Sequence, residues 1–180
     1  MHAKGDAVRP SPNSYWVKPG RFAAGEYPGA VDDAEAATKL RELLDAGINH
    51  FIDLTEAGEL RPYSQILQKE ARSVGLEVGW ERHSIKDVSV PHSAKEMADI
   101  LDAIDLALDM GRAVYLHCWG GVGRTGTVVG CWLVRHGLTG EAALGEIAEL
   151  WQEVEKSHLK PNSPETQEQM MYIRNWNEQI

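Results

Sequence analysis

Between Ser93 and Gly111 the apolar residues Met97, Ile100, Leu101, Ile104 and Leu108 return every three or four positions, which places them on one stripe of a helix. Ser93 and Glu96 stand in capping-box register at its start and Gly111 ends it. A second helix is predicted from Asp32, acidic in its first turn, apolar at Leu40, Leu43 and Leu44, and stopped by Gly47. "PYSQILQKEARSVG", "TVVGCWLVRHG" and "TGEAALGEIAELWQEVEK" read as three more, and Ser163 followed by Pro164 opens a last one, "ETQEQMMYIRNW". Between them lie shorter apolar runs. "NHFIDL" and "LEVGWERHSI" read as strands, and "AVYLH" as a central strand buried on both faces. "SYWVKPGRFAAGEYPG", with aromatics set between Pro-Gly pairs, predicts a short hairpin or an extended cover. Residues 1–13 are polar and aperiodic and are expected to form a flexible tail, leaving 14–180 as one domain. Strands alternating with helices predict an α/β fold with a largely parallel sheet wrapped by helices.

Composition narrows the partners. The chain has 180 residues, 43% of them hydrophobic, which suits one domain with a buried core. Its 18 Lys+Arg against 27 Asp+Glu give a formal charge of -9, which argues against broad attraction to nucleic acid or an anionic membrane, so an anionic ligand must be captured locally. No apolar run reaches the length of a membrane span and the N-terminus lacks a signal-like stretch, so a cytoplasmic protein is expected. Two cysteines are too few for a disulfide framework or a four-thiolate zinc site, and seven scattered histidines show no ligand spacing. No metal and no cofactor are expected, and a monomer is.

The candidate chemistry sits in "YLHCWGGVGRTGTVV", residues 115–129. At the carboxyl end of a central parallel strand, a glycine-rich turn entering a helix aims its N–H groups outward, and the helix end adds about half a positive charge. Trp119, Gly120, Gly121, Val122 and Gly123 would form such a cradle around a tetrahedral oxyanion. Arg124 closes it with a guanidinium able to grip two phosphate oxygens, and the same positive surroundings favour the thiolate of Cys118. A nucleophile at the floor of an anion site can attack phosphorus and form a phosphocysteine. The hydroxyl of Thr125 could donate to that sulfur or simply cap the helix. A Walker-type nucleotide loop would need Gly-Lys-Ser/Thr, which is missing.

"HCWGGVGRTG", His-Cys, five residues, then Arg-Thr-Gly, resembles the signature of the protein tyrosine phosphatase superfamily, and the small size is similar to its dual-specificity branch. "IKDVSVP" and "SPETQEQ" extend the likeness from about Ser14 to the end. The resemblance implies a sheet of four to five strands with helices on both faces and metal-free hydrolysis of phosphate monoesters. It also implies that His117 fixes the loop through backbone hydrogen bonds, and that the substrate is a protein or peptide bearing phosphotyrosine, with phosphoserine and phosphothreonine also considered. The loop has no lysine between Cys118 and Arg124, unlike that of lipid-directed relatives.

An alkoxide or phenoxide leaving group needs a proton, so a carboxylic acid is sought on another loop. Asp99, Asp102 and Asp109 fall on the polar face of a helix, and Asp53 ends a strand where a turn-capping role competes. Asp87, between a strand and the Val-Ser-Val-Pro turn, can swing over the cradle and is the favoured acid, as in the mobile acid loop that this stretch resembles. Glu56, Arg61 and Tyr63 border the site or form a solvated connection, Gln169 serves as scaffold, and Cys131 packs in the core. A phosphate-binding adaptor without turnover is the alternative, disfavoured because thiol, arginine, threonine and acid are all present. An oxidoreductase using Cys118 lacks a second cysteine nearby in sequence.

Overall fold

A computed structural model describes residues 8–178. Five strands form one sheet: β1 (Ser14–Lys18), β2 (Phe22–Gly25), β3 (His50–Asp53), β4 (Gly79–Arg82) and β5 (Val114–His117), in the order β1-β2-β5-β3-β4. The first pair is an antiparallel hairpin and every other pairing is parallel. β5 is buried along its whole length, as the uninterrupted apolar run requires of a strand covered on both faces. The parallel register sets Gly25, His117, Asp53 and Arg82 in one row at the carboxyl edge, the edge at which ligands bind in such sheets.

Among the described residues six α-helices cover the two faces. α1 (Asp33–Asp45) and α2 (Ser64–Ser73) pack Leu40, Leu43, Leu44 and Leu67 against Ala23, Phe51 and Tyr115 on one side. On the other lie α3 (Ala94–Asp109), α4 (Gly123–Arg135), α5 (Gly140–Gln152) and α6 (Gln167–Arg174), whose Ile100, Ile104, Val128 and Ile147 meet Phe22, Ile52 and Leu116. α3 begins as its sequence predicts, with Ser93 Oγ accepting from the Glu96 amide, but the Glu96 carboxylate reaches past Ser93 to the amide of His92.

Three expectations are corrected in detail. α5 stops at Gln152 instead of running to Lys156, because Val154 turns inward in an extended conformation and is buried. The segment resumes as a 3-10 turn over Glu155–His158. α6 opens at Gln167 and not at Pro164: Thr166 and Gln169 form a reciprocal capping box, while Ser163 is buried and donates to the Val122 carbonyl. β4 is only four residues long, since the chain beyond it bonds to the exit of β3, His83 N–H to the Asp53 carbonyl and Ile85 N–H to that of Leu54. Of the expected tail, residues 1–7 lie outside the described residues, whereas residues 8–13 lie against the domain. There the carbonyls of Val8 and Pro12 accept from the Trp16 indole and the Glu155 amide. No helix among the described residues is long and apolar enough to cross a membrane.

Candidate active site

β5 ends in His117, the chain curls through Cys118–Val122, and α4 begins at Gly123. The curl depends on Gly121, whose φ of +73° is open to glycine and whose missing Cβ would run into the backbone of Gly25, with the Gly25 oxygen 2.6 Å away. Cys118 is 3% exposed and sits with Trp119, Gly120, Val122, Gly123 and Arg124 on the wall of a cavity of about 440 Å³. Gly121, also expected in the cradle, allows the close approach of the loop to β2.

The buried guanidinium of Arg124 is held from two loops. Nη1 and Nη2 donate to Glu59 Oε2 and Oε1 at 2.8 and 2.6 Å, a bidentate fork, and Nη1 also donates to the Ile85 carbonyl at 3.1 Å. Nη2 lies 3.0 Å from Asp87 Oδ1. Burial works against the charge of Arg124, but the Glu59 bonds and the charges of Glu59 and Asp87 raise its pKa, so it stays cationic. In turn the Arg124 bonds hold the Glu59 carboxyl below its ordinary value. Glu59 was not singled out in the sequence, although a cationic side chain facing the interior demands a carboxylate partner and the acidic loop after β3 was the place to seek one. Of the loop residues that were weighed, Glu56 is exposed, and Arg61 turns away to pair with Asp33 at 2.7 Å.

Asp87 lines the same cavity as Cys118 and Arg124, with its side chain 48% exposed. The next residue, Val88, has φ +57°, an uncommon conformation for a β-branched side chain, and its amide donates to Asp87 Oδ1 at 3.0 Å. Gln169, fully buried, donates to the Ser89 carbonyl at 3.1 Å and so ties this loop to α6. Trp119, 60% exposed, stands at the cavity mouth. Thr125 is fully buried and its Oγ1 has no hydrogen-bond partner among the described residues, so it makes neither the expected bond to the sulfur nor a cap. The N-cap of α4 is Val122.

Beneath the loop, His117 Nδ1 is 2.9 Å from the Cys118 carbonyl and Nε2 is 2.6 Å from the Tyr63 hydroxyl. A carbonyl only accepts, so Nδ1 carries the proton and Nε2 accepts from Tyr63. Burial, only partly opposed by the charge of Asp53, lowers the His117 pKa and keeps the ring neutral. Asp53 is a turn residue and not part of the cavity wall: it accepts from the Thr55 amide and hydroxyl and pairs with Arg82. Cys131 is buried and free, and burial pushes its thiol well above the usual value.

A histidine kept neutral by burial contributes stability that is present above its unfolded pKa and is lost as pH falls through its folded value. The thermal midpoint is therefore expected to fall as pH drops below about 6.5, and to fall less steeply in His117→Gln. Melting curves across that window check it; parallel pH dependences in the two proteins would contradict it.

A glycine-bounded cradle between a buried strand and a helix, with thiol and guanidinium on one cavity, is the arrangement of the dual-specificity branch of the protein tyrosine phosphatases. Residues 27–138 match the family described as "Polymorphic toxin system, DSP-PTPase phosphatase". The chain belongs to that family. It is 33% identical over 100 residues to "Putative tyrosine phosphatase 067L" of Invertebrate iridescent virus 3; the match covers 53% of this chain and 38% of the viral one. This chain thus spans well under half the length of that curated relative. Among solved structures, Tk-PTP in the active form is 28% identical with a TM-score of 0.67, the match covering 94% of this chain and 99% of that one. P. aeruginosa TpbA in complex with pTyr shares the fold at 16% identity and TM-score 0.65, covering 97% and 93% of the two chains.

Proposed function

We propose that the protein hydrolyses phosphotyrosine in proteins or peptides, and phosphoserine and phosphothreonine where they fit, through a phosphocysteine. The observation that carries this reading is the convergence of Cys118, Arg124 and Asp87 on one cavity. In the first step the Cys118 thiolate attacks phosphorus while Arg124 and the loop amides hold the non-bridging oxygens; the S–P bond forms as the ester P–O bond breaks. Asp87, protonated, gives its proton to the departing phenolate oxygen. In the second step the Asp87 carboxylate takes a proton from water, whose oxygen attacks phosphorus. The S–P bond breaks, releasing inorganic phosphate and restoring the thiolate. Because phosphate and Asp87 both compete for Arg124 Nη2, bound substrate would draw the guanidinium from Asp87 and leave the acid free to reach the leaving group. His117, Tyr63 and Gln169 position the two loops. All of these groups come from one chain, so a monomer suffices. The two free thiols fit a cytoplasmic setting.

Turnover of p-nitrophenyl phosphate and of a phosphotyrosine peptide, with chelator present, tests the reading: the protein should release phosphate from both. Asp87→Asn is expected to lose about 10²-fold in kcat on the peptide, together with the alkaline fall of its pH profile. Full kcat with an unchanged profile in Asp87→Asn would remove the acid assignment.

A further inference from the structure

We infer that Trp119 and Val88 form an apolar jaw at the active-site mouth, which selects phosphotyrosine peptides carrying a bulky apolar side chain, such as leucine, next to the phosphotyrosine. The inference rests on the phosphatase reading above and narrows its substrate. Of the six tryptophans, Trp16, Trp132, Trp151 and Trp176 are buried and Trp80 is half-buried, whereas Trp119 is 60% exposed. It directly follows Cys118 and lines the same cavity. Its main chain is fixed, since the Trp119 carbonyl accepts from the Tyr27 amide at 2.9 Å. An indole left in water forgoes one of the largest burial gains that a side chain offers. Aromatic side chains presented on a rigid frame beside a cleft are the usual anchors of recognition.

Val88 supplies an independent observation. It comes from the loop that carries Asp87, lines the same cavity and is 55% exposed. Its φ of +57° is costly for a β-branched residue, where glycine or asparagine would make the same turn with less strain. The turn is tied on both sides, through the Val88 amide to Asp87 Oδ1 and through Gln169 to the Ser89 carbonyl. A chain that needed only the turn gains nothing from valine there, whereas a chain that uses the side chain gains an apolar surface over the cavity. Charge at the mouth balances: Glu26, Asp87 and Glu165 stand with Lys39, Lys156 and Lys160, leaving Arg124 for the scissile phosphate. The surface that remains unmatched is therefore apolar. Its occupant follows from continuity with the cradle. Once a phosphate sits over Cys118, the residues flanking the phosphotyrosine are the first groups of the substrate to meet Trp119 and Val88.

The test measures the affinity of the Cys118→Ser protein for three phosphotyrosine peptides that differ only in the two residues flanking the phosphotyrosine: leucine, serine or glutamate. Binding is repeated with Trp119→Ser, Trp119→Phe or Val88→Asn added. The leucine peptide should bind about tenfold more tightly than the serine peptide, and the glutamate peptide no more tightly than the serine one. The leucine preference should fall to about one in Trp119→Ser and survive in Trp119→Phe. It should shrink in Val88→Asn, which suits the backbone conformation and removes the apolar surface. Added salt should leave it intact, because the contact is not between charges. Because the ratio is read within each variant, any change in the grip on phosphate cancels. Equal affinities, a leucine preference undiminished in Trp119→Ser or Val88→Asn, a preference for glutamate, or displacement of the leucine peptide by phosphatidylcholine vesicles would overturn the inference. Turnover of p-nitrophenyl phosphate by the protein with Cys118 intact separates the two levels. Without it the phosphatase reading fails, whereas intact turnover with flat peptide ratios sinks only the jaw.

Discussion

Cys118→Ser is expected to abolish turnover, with a loss of about 10⁴-fold or more, while leaving oxyanion binding in place. The thiol is 3% exposed, and among the described residues lining the cavity it is the one thiol, with no serine or threonine beside it. A serine hydroxyl at the same point keeps its proton at neutral pH and attacks phosphorus poorly. On the proposed reading backbone N–H groups and Arg124 bind the phosphate, and the substitution touches neither, so phosphate or vanadate should bind to the variant about as well as to the parent. Stopped assays with p-nitrophenyl phosphate and calorimetry with inorganic phosphate separate the two effects. Retained turnover, or loss of phosphate binding together with turnover, would go against this account.

Arg124→Ala is expected to reduce kcat/KM by about 10³-fold and, unlike Cys118→Ser, to weaken the fold as well. Removing the guanidinium takes away the fork that would hold the phosphoryl oxygens as charge develops on them. It also leaves Glu59, bonded at 2.6 and 2.8 Å in the parent, and the Ile85 carbonyl without their donor. The cost of those stranded groups is about 2 kcal/mol, tempered by the partial exposure of Glu59. Arg124→Lys should restore little activity, because a single ammonium cannot span both Glu59 oxygens and still reach a phosphate. Phosphopeptide kinetics and urea denaturation of the three proteins check both halves. A variant with parental stability and only a weaker KM would contradict the idea that one side chain both holds the loops and stabilises the transition state.

What could be read from the chain was what local rules govern. The stripe from Met97 to Leu108, the apolar run at β5 and the glycine turn after it follow from periodicity and backbone freedom, and each stands where those rules put it. Cys118 and Arg124 were legible for the same reason, being separated by one tight turn at a strand end. Asp87 was reached by elimination among loop carboxylates, and the fold sets it 3.0 Å from Arg124 across a long stretch of sequence. Glu59 was hidden because its reason for existing is a partner 65 positions away, and no local pattern marks such a residue. Thr125 shows the opposite failure: its position next to Arg124 suggested a hydrogen bond that the folded loop leaves unmade.

The central claim is that Cys118 takes the phosphoryl group onto its own sulfur. Rapid acid quench of the protein during turnover of a ³²P-labelled phosphotyrosine peptide, followed by proteolysis and mass spectrometry, tests it most directly. Label on the peptide that contains Cys118, absent from Cys118→Ser, is the predicted result. Turnover that proceeds with no labelled protein, or with the label on another side chain, would contradict it.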